Sequence, residues 1–306
     1  MKTSVISMTA QRAAIHTKTR PGLIALKVAD LDAQIHFYQE ALGMRPHWRD
    51  GKRAGLGAGG ADLLVLSKHP GYRRYERIAG LYHFALLYPS QRELARAVTR
   101  LFSLRYRNYP TDHVMTKTTY LEDPEGNGIE LYAESPEDGS FAIENGGFVT
   151  RRTDGSLSSG REALDLEALF AHLQPGDDPA APMAAEVRLG HIHLHVSHLD
   201  EAVDFYERVI GFDLKGVSHP LQAAFLSAGG YHHHIGLNTW QGAGAPIPPD
   251  DALGLDFFSI ELPGEQALRD TAERISASGA DFQESEGGIH LSDPSGHQVY
   301  LTTQKI

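Results

Sequence analysis

The chain has 306 residues, 41% of them hydrophobic and 22% charged, so it is long enough for two ordinary domains with a substantial core. A formal net charge of −11 argues against nucleic acid or an anionic membrane as its main partner. It has no cysteine, which excludes disulfides, thiolate metal sites and a cysteine nucleophile; its 17 histidines leave imidazole and carboxylate as ligands for any transition metal.

Residues 1–20, MKTSVISMTAQRAAIHTKTR, have no long apolar core and no cleavage-site pattern, and are read as a mobile N-terminal arm. No run in the chain approaches the roughly 18 apolar residues of a spanning helix, so a cytoplasmic protein is expected. From residue 21 the chain repeats itself imperfectly. Residues 21–45 read PGLIALKVADLDAQIHFYQEALGMR, and residues 190–213 read GHIHLHVSHLDEAVDFYERVIGFD. A second pair of strings matches near unit ends: TTYLEDPEGNGIELY at 118–132 and GIHLSDPSGHQVYL at 288–301. Four units follow, at 21–68, 80–134, 187–240 and 253–304, grouped into halves 21–135 and 187–306.

Each unit opens on a short β-rich run such as HIHLHV. An amphipathic helix comes next, as over Leu199–Val209, where Ala202, Phe205, Tyr206 and Val209 recur at i, i+3, i+4 and i+7. Further β-rich runs follow, such as Ala223–Ser227 and Ile235–Leu237, separated by Gly-rich turns. Asp123-Pro124-Glu125-Gly126 and Asp293-Pro294-Ser295-Gly296 are turn sequences ahead of a last strand. The unit is therefore βαβββ, and the fold class is α+β. Residues 136–186, rich in Gly, Ser, Asp and Pro, break the pattern. They are expected to be a partly ordered connector with one helical run, Asp165–Leu173.

The strings LYHFALLYP (81–89), EDPEGNGIELYAE (122–134), GHIHLHV (190–196) and AGGYHHHIGLNTWQG (228–242), in that order, resemble the vicinal oxygen chelate superfamily of glyoxalases, bleomycin resistance proteins and extradiol dioxygenases. The resemblance is to two-domain proteins like catechol 2,3-dioxygenase and covers roughly residues 20–135 and 186–306. It implies that βαβββ units pair into cup-like sheets, with a metal inside a cup held by residues of first and last strands.

At the first-strand position the four units carry Leu23, His83, His191 and Phe257; at the last-strand position units two and four carry Glu130 and Tyr300. Only His83, Glu130 and His191 are good ligands. Two histidines and one carboxylate suit a non-haem Fe(II) oxygenase, with Mn(II) as a substitute. All three ligands share one cup only if unit two pairs with unit three, leaving units one and four as a metal-free cup. An ionised Glu130 within Gly-Ile-Glu-Leu-Tyr is costly unless paired or metal-bound, and Lys117 is its ordinary alternative partner. His191, His193 and His195 share one strand face by alternation, so each is a ligand candidate by parity; His191 is preferred because it aligns with His83.

The resemblance further implies an acid/base histidine in the strand after Tyr231. Aligned on the following Ile-Gly-Leu, that residue is His233, which alternation turns away from His232 and His234. It also implies that His113 and Tyr120 contact substrate oxygens ahead of the ligand Glu130. The expected function is ring cleavage of a small aromatic diol with O2; oligomeric state is left open. One alternative is a glyoxalase-type lyase or isomerase, disfavoured because no second ligand carboxylate stands in unit three. The other is a small-molecule binding protein without catalysis, which would need no ligand triad.

Overall fold

The computed structural model describes residues 14–144, 147–285 and 287–303. Unit one supplies β1 (Arg20–Val28), α1 (Leu31–Glu40), β2 (Arg45–Arg49), β3 (Arg53–Gly57) and β4 (Asp62–Lys68). Unit two supplies β5 (Gly80–Leu87), α2 (Gln91–Ser103), β6 (Tyr109–Asp112), β7 (Thr116–Glu122) and β8 (Gly128–Glu134). The intervening segment holds β9 (Gly139–Glu144), β10 (Gly147–Arg152), β11 (Leu157–Ser158), β12 (Glu162–Ala163) and α3 (Leu166–Phe170). Unit three is β13 (Arg188–His195), α4 (Leu199–Asp204), β14 (Asp213–Ser218), β15 (Ala223–Ser227) and β16 (Ile235–Asn238). Unit four is β17 (Gly254–Glu261), α5 (Glu265–Ser278), β18 (Gln283–Ser285), β19 (Gly288–Ser292) and β20 (Gln298–Thr302). Among the described residues no helix is long and apolar enough to cross a membrane.

The helices start where the sequence offers caps. Asp30 accepts from the backbone N–H groups of Asp32 and Ala33 at the head of α1, and Ser90 accepts from Glu93 at the head of α2. In unit three the regular helix ends early. Phe205–Ile210 form a wider π-helical turn that Gly211 closes at φ 103°. The wider turn rotates the face, so Ile210 is fully buried while Val209, expected inside, is only half-buried.

Two sheets result. One runs β18-β19-β20-β17-β1-β4-β3-β2, placing unit four beside unit one; the other runs β12-β6-β7-β8-β5-β13-β16-β15-β14, placing unit two beside unit three. In the second sheet the antiparallel pair β5–β13 lies at the centre, with His193 opposite His83 and His191 opposite Ala85. The parallel neighbour β8 sets Glu130 beside Ala85. A single apolar cluster, including Ile24, Leu26, Phe84, Leu131, Ile192 and Phe258, runs through both sheets and the helices packed on them.

The helix of one unit also locks the last turn of its chain neighbour. The Tyr38 hydroxyl donates to Asp123 Oδ2 at 2.9 Å, and the Tyr206 hydroxyl donates to Asp293 Oδ2 at 3.0 Å. Within the first turn Asp123 Oδ1 also accepts from the N–H groups of Glu125 and Asn127, and Gly126 takes φ 81°. Sheet pairing therefore joins units two to three and four to one, while these buried tyrosines join one to two and three to four.

Two expectations change. Of the arm expected over 1–20, residues 1–13 lie outside the described residues, but 14–19 pack against the fold: Ile15 is buried and its N–H donates to the Gly211 carbonyl at 2.8 Å. An apolar side chain near a core edge is better covered than left in water. The segment 136–186 is a built part of the molecule. It forms the three-stranded sheet β11-β10-β9 and lends β12 to the edge of the nine-stranded sheet, and its helix is limited to Leu166–Phe170.

Candidate metal centre

Because β5, β8 and β13 are adjacent, His83, Glu130 and His191 meet on one face of the sheet. His191 Nε2 is 2.9 Å and His83 Nε2 is 3.2 Å from Glu130 Oε2, and the two Nε2 atoms are 3.2 Å apart. All three residues are at most 5% exposed. Lys117 is elsewhere: its ammonium lies between Asp112 and Asp138. The other oxygen of Glu130 accepts from Thr118 Oγ1 at 2.8 Å. Thr118 stands on β7, which pairs with β8.

The charge balance of this cluster rests on Glu130 and its two imidazole neighbours. Burial would raise the Glu130 carboxyl, but the charges and hydrogen bonds of His191 and His83 outweigh that and hold it well below the usual carboxylate range. Burial at the same time pushes His83 down, towards neutral imidazole, against the pull of Glu130. Two imidazole nitrogens and a carboxylate oxygen around one point suit a cation with mixed nitrogen and oxygen preference. Both Nδ1 atoms are buried, and among the described residues neither has a hydrogen-bond partner. A second group of candidate ligands, His191, His232 and His233, shares His191 with the first.

The cluster opens into a cavity of about 550 Å³. His113 and Tyr120 line it as a bonded pair, His113 Nε2 to the Tyr120 hydroxyl at 2.8 Å. His113 Nδ1 points at the Gly160 carbonyl, an obligate acceptor. The proton therefore sits on Nδ1, and in the neutral ring Nε2 accepts from Tyr120. Tyr120 faces Glu130 across β7 and β8. Burial, reinforced by the Glu130 charge, raises its phenol well above the ordinary value, so it stays protonated.

The family described as the Glyoxalase/Bleomycin resistance protein/Dioxygenase superfamily matches residues 20–131 and 188–301. The chain belongs to this superfamily. A relative from Bacillus subtilis (strain 168), named catechol-2,3-dioxygenase, is 37% identical over 283 residues, covering 92% of this chain and 95% of the relative. A proposed dioxygenase of known structure from Bacillus subtilis subsp. subtilis str. 168 superposes with a TM-score of 0.58 at 14% identity, covering 95% of this chain and 86% of that one. Glyoxalase I from Zea mays superposes with a TM-score of 0.53 at 18% identity, covering 93% and 92%. At such identities the two structures speak for the shared superfamily fold.

Within that fold, His233 lies over His191 with ring centroids 4.2 Å apart and over Phe225 at 4.6 Å. Burial, then the neighbouring histidines, lower its imidazole well below the ordinary value. His232 also lines the cavity, contrary to strict alternation; burial lowers it to about 3. Alternation fails because residues 231–234 precede the strand, which begins only at Ile235. His234 turns away, its Nδ1 accepting from the Ala228 N–H. His193 lines the cavity, its Nε2 without a hydrogen-bond partner among the described residues, whereas His195 bonds Asn238 and faces a second cavity between the two sheets. In the other cup, Tyr300 stacks on His290 and packs tilted against Phe257.

Two glycines make room for these side chains. A Cβ on Gly190 would stand 1.9 Å from the Tyr132 hydroxyl, and one on Gly236 would stand 2.8 Å from the His193 ring. The residues that the sequence alone did not reveal come mostly from the intervening segment. Phe141 and Phe148 join Phe225 in an apolar wall, with centroids 4.7 to 5.8 Å apart, and Ser159, Gly160 and Arg161 line the same cavity. The available signal was a pair of phenylalanines in an otherwise polar stretch.

Proposed function

We propose that this chain is a metal-dependent extradiol dioxygenase that opens the ring of a catechol-type substrate with O2. The observation that carries the reading is the buried convergence of His83, His191 and Glu130 at the wall of a cavity that also holds His113, Tyr120 and His233. The 37% identical relative named catechol-2,3-dioxygenase supports it. Fe(II), or Mn(II) in its place, would supply Lewis acidity towards the diol and electron-transfer chemistry towards O2.

The chain's own groups have separable tasks. His233, lying over His191 in the cavity, is the group placed to take a diol proton and later return it, and burial keeps its ring neutral beforehand. Tyr120 stays protonated and, held by His113, presents its oxygen to the substrate while Gly160 fixes the His113 tautomer. The wall of Phe141, Phe148 and Phe225 excludes water from the ring. The test is oxygen uptake by protein loaded with Fe(II) without air, across a panel of catechols. Uptake with a coloured ring-fission product is expected. Metal-loaded protein inert towards the whole panel refutes the reading.

A further inference from the structure

Among the described residues, Arg161, an exposed residue, is the one Lys or Arg among those lining the cavity beside the His83–Glu130–His191 cluster. Its guanidinium makes no ion pair or hydrogen bond with any described residue; only its backbone N–H is engaged, by Ser159 Oγ. The neighbouring acids are already matched. Glu162 is held by Arg152 and Ser158, Glu144 by Arg151, and Asp112 by Lys117. Its charge opposes, as a small contribution, the rise that burial imposes on the phenols of Tyr82 and Tyr120, which places it within electrostatic reach of both.

The backbone at this position is well defined. Gly160 receives His113 Nδ1, and Glu162 begins β12, paired with Asp112 of β6. A free guanidinium thus stands one residue from the carbonyl that orients a site histidine. The chain as a whole carries −11, which repels small anions at long range, so an unmatched cation at the cavity is a local exception. A cavity of about 550 Å³ falls in the range typical of drug-sized ligands, roughly 300–1,000 Å³, and has room for a diol ring with a substituent.

We infer that Arg161 is a specificity-determining residue that pairs with a carboxylate on the substrate, so that the preferred substrate is an acidic catechol. This rests on the ring-cleavage reading for the diol half of the substrate, but the carboxylate contact is independent of turnover. A guanidinium offers a carboxylate two parallel donors, which fixes orientation as well as adding affinity.

The test compares wild type, Arg161→Met and Arg161→Lys, all metal-loaded. The probes are catechol, 3,4-dihydroxybenzoate and 3-(3,4-dihydroxyphenyl)propanoate. Binding is measured by calorimetry under nitrogen, and turnover by oxygen uptake. Wild type should favour at least one acid over catechol by ten-fold or more. Arg161→Met should lose about ten- to a hundred-fold on that acid, in Kd and KM rather than kcat, and less than three-fold on catechol. Arg161→Lys should recover part of the loss. Acid binding that depends on Arg161 without turnover of any probe would leave this inference standing and overturn the ring-cleavage reading. Turnover with no acid preference, or acid affinity unchanged in Arg161→Met, would overturn this inference alone.

Discussion

His234 makes the stability of this protein depend on pH in a way that can be worked from its contacts. The residue is 6% exposed, and its Nδ1 accepts from the Ala228 N–H at 3.1 Å, with Ser227 Oγ also at 3.1 Å. A backbone N–H only donates, so Nδ1 must be bare and the ring neutral. Burial lowers its pKa to about 3, from an ordinary 6.5. The folded value lies below the unfolded one, so the contribution is intact above pH 6.5 and is lost progressively as pH falls towards 3. Between those limits the loss approaches about 1.4 kcal/mol per pH unit, and at pH 5 it amounts to about 2 kcal/mol. His234→Asn keeps an acceptor near the Nδ1 position and removes the titration. Urea unfolding at intervals from pH 8 to pH 5 should show wild type losing stability faster than His234→Asn, by close to one proton of slope at the acid end. His232, also lowered to about 3, titrates in both proteins and cancels in the comparison. Parallel pH profiles for the two proteins would show that the Ala228 N–H does not hold His234 neutral, and would refute the reasoning.

Three further substitutions address the carboxylates. Thr118→Val removes the 2.8 Å hydrogen bond to Glu130 while keeping the side-chain shape; metal affinity should fall about ten- to a hundred-fold by competition with a chelator, and unchanged affinity would mean that Thr118 does not orient the carboxylate. Tyr206→Phe and Tyr38→Phe each remove a buried hydroxyl from a turn aspartate and should each cost about 1–3 kcal/mol in urea unfolding, whereas midpoints equal to wild type would show that the turns hold without them.

Most of the fold is readable in the sequence because the chain writes its unit four times. Repetition holds the packing residues constant, so Leu23, His83, His191 and Phe257 can be compared at one position from the residues alone. The three side chains that the structure brings within 3.2 Å are those that the comparison singles out. What stays hidden depends on register or on local breaks in periodicity. Thr118 is an ordinary threonine in Thr-Lys-Thr-Thr-Tyr until β7 and β8 are paired and it lands beside Glu130. His232 enters the cavity because the strand starts three residues later than alternation assumes. Ile210 replaces Val209 because a π-helical turn shifts the face.

The segment 136–186 is the least legible, since its composition is that of a loop and it has no counterpart among the four units. Its structure makes sense of its position in the chain. It leaves unit two directly after β8, the strand that carries Glu130, and it must reach β13, the strand that carries His191. Its first part borders the cavity twice, placing Phe141 and Phe148 as a wall and then Gly160 and Arg161 at the edge shared with His113, and its later part returns along α2, where Asp177 pairs with Arg92. The repeat therefore sets where a metal could be held, and the one non-repeating segment is free to set what can approach it.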